Sequence, residues 1–352
     1  MAIVAGRGVS TGRAQADVTS GRNNADVSQR EDLANFITMI TREETPFTSS
    51  IGKTKATAIY HEWQTDELAA PGNSRLAEGA EIGSDVAYTT GPHRTRLGNY
   101  TQINGKSLAV SGTRRAVDQA GVADEYAYQL KKRGTELRRD VEFDMIHSFN
   151  VASASGTRTA GGYQAFINDG ATVNYVGDFE APTTTNAGTG TVTGVDSADN
   201  TRGALALSDI DAVMQKIYEE GGKATRVMLS PKLRRDFSDL IQSESNVRRN
   251  VDESGKLRQS VDVYMSDFGD LMVVPNYIMG LSHNVDFGNG NVDVADFSAL
   301  IYDPMWFNVA TLRPLTEVDV GQKGDSTVGM MVEETTLEVR NPKGCGAIYG
   351  LV

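Results

Sequence analysis

Residues 43–54 read EETPFTSSIGKT, and the closing GKT matches the end of the phosphate-binding motif G-x-x-x-x-G-K-[ST]. In that motif two glycines let backbone N–H groups wrap the phosphates. The first glycine position here holds Phe47, whose side chain would block so close an approach. Pro46 and the charged residues before it also replace the apolar strand that should lead into the loop. The sequence therefore argues against nucleotide binding at this stretch.

Other candidate chemistry is equally sparse. The segment DFGNGNVD at 286–293 has glycines at the third and fifth ligand positions of a calcium loop, which indicates a surface turn instead. Glycines 188, 190 and 194 lack both the spacing and the preceding strand of a dinucleotide motif. There is no G-x-S-x-G nucleophile motif. The histidines show no zinc-ligand spacing: they are His61, His93, His147 and His283. We predict no catalytic, cofactor or metal site.

The bulk composition limits the class of protein. A chain of 352 residues can bury a substantial core in two domains or in one elaborated domain. The net charge of −12 argues against a large basic face that grips nucleic acid. The single cysteine, Cys345, allows no internal disulfide and is expected to be a small buried hydrophobe. No membrane-length apolar run and no signal-peptide pattern occurs, so we expect a soluble, cytoplasmic product.

The N-terminal region predicts an arm. Residues 1–30 contain four arginines and two aspartates, with little apolar surface to bury. Such a segment should be disordered on an isolated molecule and should gain order against a neighbouring copy. The next stretch, EDLANFITMIT at 31–41, has apolar residues at helical spacing, and we expect Pro46 to end this helix.

Two longer elements follow. KATAIYHEWQTDEL at 55–68 alternates like a strand, and RTRLGNYTQINGKSLAVSGT at 94–113 reads as one or two returning strands, so together they predict a hairpin that must lie on another surface. Residues 117–150 then predict a spine helix about 45–50 Å long. Glu136, Asp140, Glu142 and Asp144 nearly cancel its basic residues and indicate a solvated or intersubunit face. Its apolar stripe is Tyr126, Leu130, Leu137, Val141, Met145 and Phe149.

The second half predicts an α+β arrangement. Residues 171–203 are rich in Thr, Gly and Asn and indicate an inserted surface loop. A helix capped by Ser208 comes next, followed by the strand RVMLSP, the helix KLRRDFSDLIQ and two strands within VDVYMSDFGDLMVVPN. Residues 301–352 read as long strands that return to pair with the earlier strands beside the spine helix.

This order of parts resembles the SU10-type major capsid proteins of tailed bacteriophages, which have the Hong Kong 97-like fold. The likeness is carried by the segments TPFTSSIG, EWQTDELAAPG and RTAGGYQAFI, and it extends from about Glu31 to the C-terminus. The resemblance implies an α+β fold divided into the N-terminal arm with a short helix (1–45), the start of the peripheral domain (46–63), the extended loop (64–98), the peripheral domain with spine helix 117–150 (99–165), an inserted polar loop (166–206), the axial domain (207–300) and return strands of the peripheral domain (301–352).

The resemblance also implies a function and its partners. The chain would self-assemble from hexameric and pentameric capsomers into a head shell around double-stranded DNA, without sequence-specific contact to that DNA. It would meet portal, scaffolding and decoration proteins, would touch no membrane, and would be assembled in the host cytoplasm and reside in the virion. Residues 45–54 become the junction of arm and extended loop. There Pro46 ends the helix, Phe47 anchors the turn, Trp63 belongs to the first loop strand, and Lys53 is a solvated strand-edge lysine.

Two rival readings stay open at this point. An encapsulin-like shell would enclose enzyme cargo, although such shells generally have a shorter N-terminal segment and lack the Thr/Gly-rich insertion. A secreted surface protein would explain the Thr, Gly and Asn usage. Some relatives weld their shells through a lysine on the extended loop, but residues 64–98 contain no lysine. The basic side chains there are Arg75, His93, Arg94 and Arg96, and guanidinium groups are poor nucleophiles.

Overall fold

A computed structural model describes residues 41–68, 71–72, 75–81, 94–117, 121–148, 152–154, 157–167, 175–176, 183–184, 192–193, 204–244, 262–281, 299–322, 324–348 and 351. These residues form helices and strands arranged around two sheets and two apolar cores. The helices, numbered along the chain, are α1 (Pro46–Ser50), α2 (Gly112–Ala116), α3 (Glu125–His147), α4 (Tyr163–Ile167), α5 (Leu207–Glu219) and α6 (Pro231–Glu244). None of them carries an apolar stretch long enough to cross a membrane.

The strands fall into the two main sheets and three two-stranded ribbons. Single 3₁₀ turns at Ile278–Leu281, Pro304–Trp306 and Pro342–Gly344 connect some of them. In chain order the strands are β1 (Gly52–Lys55), β2 (Tyr60–Thr65), β3 (Thr95–Tyr100), β4 (Gln102–Ser111), β5 (Ala152–Ala154), β6 (Thr157–Thr159), β7 (Tyr175–Val176), β8 (Thr183–Thr184), β9 (Val192–Thr193), β10 (Arg226–Leu229), β11 (Val263–Ser266), β12 (Gly269–Pro275), β13 (Ala299–Tyr302), β14 (Phe307–Gln322), β15 (Ser326–Val339) and β16 (Gly346–Ile348).

The first main sheet has four strands in the order β1-β14-β15-β4. Strand β1 runs parallel to β14, and the other pairs are antiparallel. Strands β14 and β15 form a hairpin of 16 and 14 residues, in which Val, Thr and Leu recur along both strands between polar residues. The spine helix α3 packs on β4 and β15. The prediction that the C-terminal strands pair with earlier ones is confirmed for β14 and β15.

The second main sheet has six strands in the order β11-β12-β10-β13-β16-β7. One face is covered by α5 and α6, and alternate residues of β10 and β12 bury against these helices in a separate core that includes Val227, Leu229, Leu271 and Phe237. The predicted strands in RVMLSP and VDVYMSDFGDLMVVPN and the predicted helix in KLRRDFSDLIQ are confirmed. Residues 301–352 were predicted to pair with the strands beside the spine helix. This is wrong for β16, which joins the six-stranded sheet.

The strands β2 and β3 form an antiparallel ribbon with Tyr60 opposite Tyr100 and Thr65 opposite Thr95. This confirms the predicted pairing at the base of a hairpin. After β3 the chain passes through the buried Thr101 and enters β4 directly. The ribbon is therefore joined by its own chain to the edge of the four-stranded sheet.

The spine helix is shorter than its pattern predicted. The structure begins it at Glu125 instead of Val117 and ends it at His147. The carboxylate of Asp124 accepts a hydrogen bond from the backbone N–H of Tyr126, which caps the first turn. Gly121 lies just upstream with φ at 83°, a left-handed conformation that a continuous helix cannot contain. A capping aspartate thus overrode the apolar periodicity that had suggested an earlier start.

Two further details differ from expectation. Helix α5 starts at Leu207 rather than after a Ser208 cap, because the Asp209 carboxylate accepts the backbone N–H of Ala206. The predicted insertion at 166–206 begins inside α4, whose Phe166 and Ile167 are buried. Several predicted features lie outside the described residues: Gly188, Gly190 and Gly194, the 286–293 segment, residues 31–40 of the predicted helix, His93, His283 and Phe149.

Candidate functional site

The chain enters the described structure at residues 41–50, which we call the arm root. Pro46 is the first residue of α1, so the prediction that it ends a helix is wrong. The reason is steric, since the fixed φ of proline and its missing N–H suit the first helical position. Phe47 follows it and is fully buried. The side chain of Lys53, just beyond the arm root in the edge strand β1, is exposed.

The GKT stretch has a packing explanation. Gly52 pairs with Asn308 of β14, and a Cβ atom at position 52 would collide with the Asn308 side chain. The glycine therefore leaves room for the Asn308 side chain over β1, and the chain continues into a strand and not a helix. A phosphate-binding loop needs a helix N-terminus after its glycine, which is missing from this described segment.

An aromatic cluster anchors the arm root. The ring of Phe47 lies 6.1 Å from that of Tyr163, 5.4 Å from that of Tyr302 and 5.7 Å from that of Phe307. The Tyr163 hydroxyl donates to the carbonyls of Ile301 at 2.9 Å and Gly346 at 3.1 Å. These partners come from α4 and from strands of both main sheets. The cluster lies within one apolar core and joins the arm root to both main sheets.

A buried carboxylate adds a second anchor. Glu142 of the spine helix accepts hydrogen bonds from the backbone N–H groups of Phe47 at 2.8 Å and Thr48 at 2.7 Å, and from the Asn276 amide at 2.9 Å. Its side chain is fully buried, so the predicted solvated face is wrong at this residue. Burial raises the pKa of Glu142, and the hydrogen bonds from these neutral groups offset only part of that rise.

The hairpin root is the place where β2, β3 and the start of β4 lie on β15. His61 bonds to Glu338 at 3.0 Å, and the Thr101 hydroxyl donates to Glu334 at 2.8 Å. Arg158 and Arg313 also donate to Glu334. Alternating residues of β15 point to one face of the sheet, so both glutamates face the hairpin.

Ionic partners set the protonation of this root. Burial raises the pKa of Glu334, but hydrogen bonds from Thr101 and Arg313 outweigh burial and hold that pKa below its usual value. Burial likewise opposes Arg340 and His61 at Glu338, whose pKa is also lowered. Both carboxylates are therefore ionised near neutral pH and bind their cations. The arginines come from β6, β14 and the residue after β15, and the hairpin root itself reaches the two glutamates through His61 and the Thr101 hydroxyl.

Neutral contacts complete the hairpin root. Asn99 of β3 is fully buried, and its amide donates to the carbonyls of Gly161 at 2.9 Å and Leu337 at 2.8 Å. The ring of Trp63 is half-buried, 5.8 Å from the ring of Phe166. Trp63 therefore lies where the hairpin meets α4, two residues from the His61 ring that bonds to Glu338.

The spine helix meets β4 through polar side chains. Lys106 forms a salt bridge with Asp140 at 2.5 Å, and the Gln102 amide donates to Asp144 at 2.8 Å. Burial, together with the nearby charge of Asp140, raises the pKa of Asp144 to about 6. Asp144 thus loses its charge under mildly acidic conditions, unlike the glutamates of the hairpin root.

The predicted stripe of the spine helix divides into two parts. Leu137, Val141 and Met145 are buried, whereas Tyr126 and Leu130 nearer the N-terminal end are half-buried. The Tyr126 hydroxyl donates to Glu317 at 2.7 Å, and this hydrogen bond is the main reason that its pKa is raised to about 12. The C-terminal half of the helix is therefore the part embedded in the core.

Known reactive groups do not converge on a catalytic site in this region. The described residues contain no cluster of three His, Cys, Asp or Glu side chains that could hold a metal ion. The Cys345 thiol is fully buried, and burial raises its pKa, so the thiolate nucleophile is disfavoured. His147 is buried and its ring lies 3.3 Å from the carbonyl of Ile278.

Sequence reasoning missed the polar anchors of the junction: Glu142, Asn276, Asn99, Glu334 and Glu338. One signal was available for Glu142, since it lies on the helix surface between Val141 and the buried pair Met145 and Ile146. The other four sit in strands or loops whose long-range partners no local pattern reveals.

Comparison with known proteins agrees with this architecture. The family model of the SU10 major capsid protein matches residues 14–352. The major capsid protein of Escherichia phage Phieco32 is 25% identical over 250 residues, which cover 64% of this chain and 70% of that protein.

Solved capsid structures share the fold at low sequence identity. The cyanophage A-1(L) capsid protein has a TM-score of 0.66 at 13% identity, with 92% of this chain and 97% of that chain covered. The capsid of a native GTA particle has a TM-score of 0.56 at 11% identity, with 96% and 99% covered. The fold is Hong Kong 97-like, and the family match spans nearly the whole chain. The chain belongs to the SU10 major capsid protein family and is a major capsid protein of a tailed bacteriophage.

Proposed function

We propose that this chain builds hexameric and pentameric capsomers in which the N-terminal arm (1–45) and the extended loop (64–98) of each copy lie across its neighbours. The observation that carries this proposal is the junction itself, where the arm root and the hairpin root are both anchored to the folded part of the chain. Along the extended loop, Leu68 and Leu76 are 97% and 64% exposed on the isolated chain. Apolar residues so exposed at the described part of a hairpin favour coverage by another copy.

The proposed capsid role also assigns the domains, the partner proteins and the place of assembly. The peripheral domain (46–63, 99–165 and 301–352) contains the spine helix and the four-stranded sheet and supplies β16 to the six-stranded sheet, while the axial domain (207–300) contributes β10, β11, β12 and the start of β13 to that sheet. Portal, scaffolding and decoration proteins are the expected protein partners. The net charge of −12 suits a shell that holds double-stranded DNA without gripping it. The chain has no catalytic role in this proposal, and it assembles in the host cytoplasm.

Microscopy and sedimentation of the overexpressed chain test the assembly. We expect capsomers or closed shells in negative stain and fast-sedimenting species in analytical ultracentrifugation. A variant without residues 2–30 should keep its circular dichroism spectrum but assemble poorly, because the deleted segment has no core of its own. A compact monomer that persists at high concentration of the intact chain would contradict the proposal.

The assembled shell should be non-covalent. Residues 64–98 contain no lysine, Lys106 is engaged with Asp140, and Lys55 lies at the end of β1, away from the loop. Boiling in detergent and reductant should therefore release single chains of 37.9 kDa on a denaturing gel. A ladder of larger covalent species would show that another lysine forms cross-links.

A further inference from the structure

An open groove of about 1210 Å³ lies beside the hairpin root. Its walls come from β2 and β3 and the chain after β2, from α4, from the C-terminal end of α5, and from the 3₁₀ turns that end at Trp306 and Gly344. The groove thus runs between the extended loop and the two sheets. Small-molecule pockets usually measure about 300–1,000 Å³ and enclose their ligand, so this open groove suits a length of polypeptide better.

The floor of the groove is apolar. It is formed by Trp63, Leu97, Phe166 and Trp306, and Leu68 stands at its edge with 97% of its surface exposed. Exposed apolar side chains such as Leu68 are unfavourable on an isolated chain and favour coverage by another segment.

The walls of the groove are acidic. Lys343 is engaged with Glu67 at 2.7 Å and Glu220 at 3.6 Å, and Arg340 with Glu338 at 2.7 Å. Asp66 also pairs with Arg94 at 3.4 Å, so the five lining carboxylates face three cations and an excess of two negative charges is left for a cationic occupant. The lining residues include five carboxylates and two cations: Asp66, Glu67, Glu219, Glu220 and Glu338 against Arg340 and Lys343.

One segment of this chain has the complementary composition. Residues 1–30, which lie outside the described part of the chain, begin with MAIVA and then carry Arg7, Arg13, Arg22 and Arg30 against two aspartates. Apolar residues suit the tryptophan floor, and the arginines suit the carboxylate walls. We infer that this groove binds the N-terminal segment 1–30 of a second copy of the chain.

The choice of a second copy rests on the proposed function. An extended segment of 30 residues spans up to about 100 Å, which is enough to leave its own subunit. Tying neighbouring copies together also gives each copy one arm to donate and one groove to fill, as a heterologous contact in a closed shell requires.

Charge reversal in the full-length chain tests the inference. The groove variant is Asp66→Lys with Glu219→Lys, neither of which contacts Lys343. The arm variant is Arg7→Glu with Arg13→Glu and Arg22→Glu. Each alone should weaken self-association about tenfold or more at low salt, and combining both sets in one chain should restore it. Asp270→Lys, an exposed reversal on the six-stranded sheet, is the matched control and should change nothing.

Tryptophan emission reports on the groove directly, because Trp63 and Trp306 are the only tryptophans in the chain and both line it. Emission should shift to the blue as the chain associates, and neither single variant should show the shift at the same concentration. If the groove variant and the arm variant both associate as strongly as the wild type, the inference is wrong, even if shells still form. A blue-shifted monomer at high dilution would mean that the arm fills its own groove, which overturns the assignment to a second copy.

Discussion

The arm root and the hairpin root are both fixed by buried glutamates, but in opposite electrostatic surroundings. Glu142 at the arm root receives its hydrogen bonds from two backbone N–H groups and one amide. Glu334 and Glu338 at the hairpin root receive theirs mainly from arginine and histidine. Burial dominates in the first case and cations in the second, so the pKa is raised at Glu142 and lowered at the other two.

The difference gives the two roots opposite responses to solution conditions. A carboxyl group with a raised native pKa stabilises the fold less as pH rises from its unfolded value through its native value. A carboxyl group with a lowered native pKa stabilises the fold above its unfolded pKa and loses that effect as pH falls through its native value. The arm root is therefore a packed, charge-poor anchor, and the hairpin root rests on two glutamates that arginines from neighbouring elements keep ionised.

The largest expected effect is at the aromatic cluster of the arm root. Phe47→Ala should lower the free energy of unfolding by about 3–5 kcal/mol, because it removes a fully buried ring with three aromatic neighbours. Trp63→Ala at the hairpin root should lower it by only about 1–2 kcal/mol, since that ring is half-buried. Urea unfolding of the unassembled chains measures both. Equal losses would mean that the hairpin root is packed as firmly as the arm root.

Removal of the buried carboxylate should rank next. Glu142→Ala leaves two backbone donors and the Asn276 amide without an acceptor, and should cost about 2–4 kcal/mol. Glu142→Gln keeps one acceptor oxygen and should cost less. Relative to Glu142→Gln, the wild type should lose stability as pH rises from about 4.3 through the raised native pKa. A pH-independent difference between these two proteins would contradict the raised pKa.

Asp144 offers a similar test over a defined pH range. Its native pKa is about 6, against about 3.9 in the unfolded chain, so its ionisation should cost up to about 2–3 kcal/mol. Compared with Asp144→Asn, the wild type should become less stable between about pH 4 and pH 6 and change little above pH 7. Unfolding curves over that range measure the effect, and a flat difference would show that Asp144 stays charged in the fold.

The smallest expected effect is at the hairpin root. Glu338→Gln should lower stability by about 1 kcal/mol at pH 7, because Arg340 is half-exposed and part of the ion-pair energy is screened. The loss should shrink as pH falls below about 4.3 through the lowered native pKa, since the wild-type carboxylate is then protonated too. It should also shrink in molar salt. A loss that is the same at low pH and high salt would argue that Glu338 acts by packing alone.

Local patterns predicted many of the elements but few of their contacts. Helix α6 and strands β10, β11 and β12 follow from apolar periodicity, as does the buried stripe of Leu137, Val141 and Met145. The start of the spine helix was predicted too early, because the prediction followed apolar periodicity and did not use Asp124 as the N-cap residue. Pro46 was read as a terminator, although proline equally suits the first turn of a helix.

The sequence by itself determined the α+β class, the order of the parts and the kinship with capsid proteins, because periodicity, turn residues and wording are local properties of the chain. Only the tertiary structure decided that Glu142 is buried, that β16 joins the six-stranded sheet and that the two tryptophans share one groove. The partners of Glu142 lie 94, 95 and 134 residues away along the chain. The sequence around a helical glutamate is the same whether its carboxylate accepts hydrogen bonds from water or from backbone N–H groups. Only the tertiary fold brings those distant N–H groups within hydrogen-bond distance.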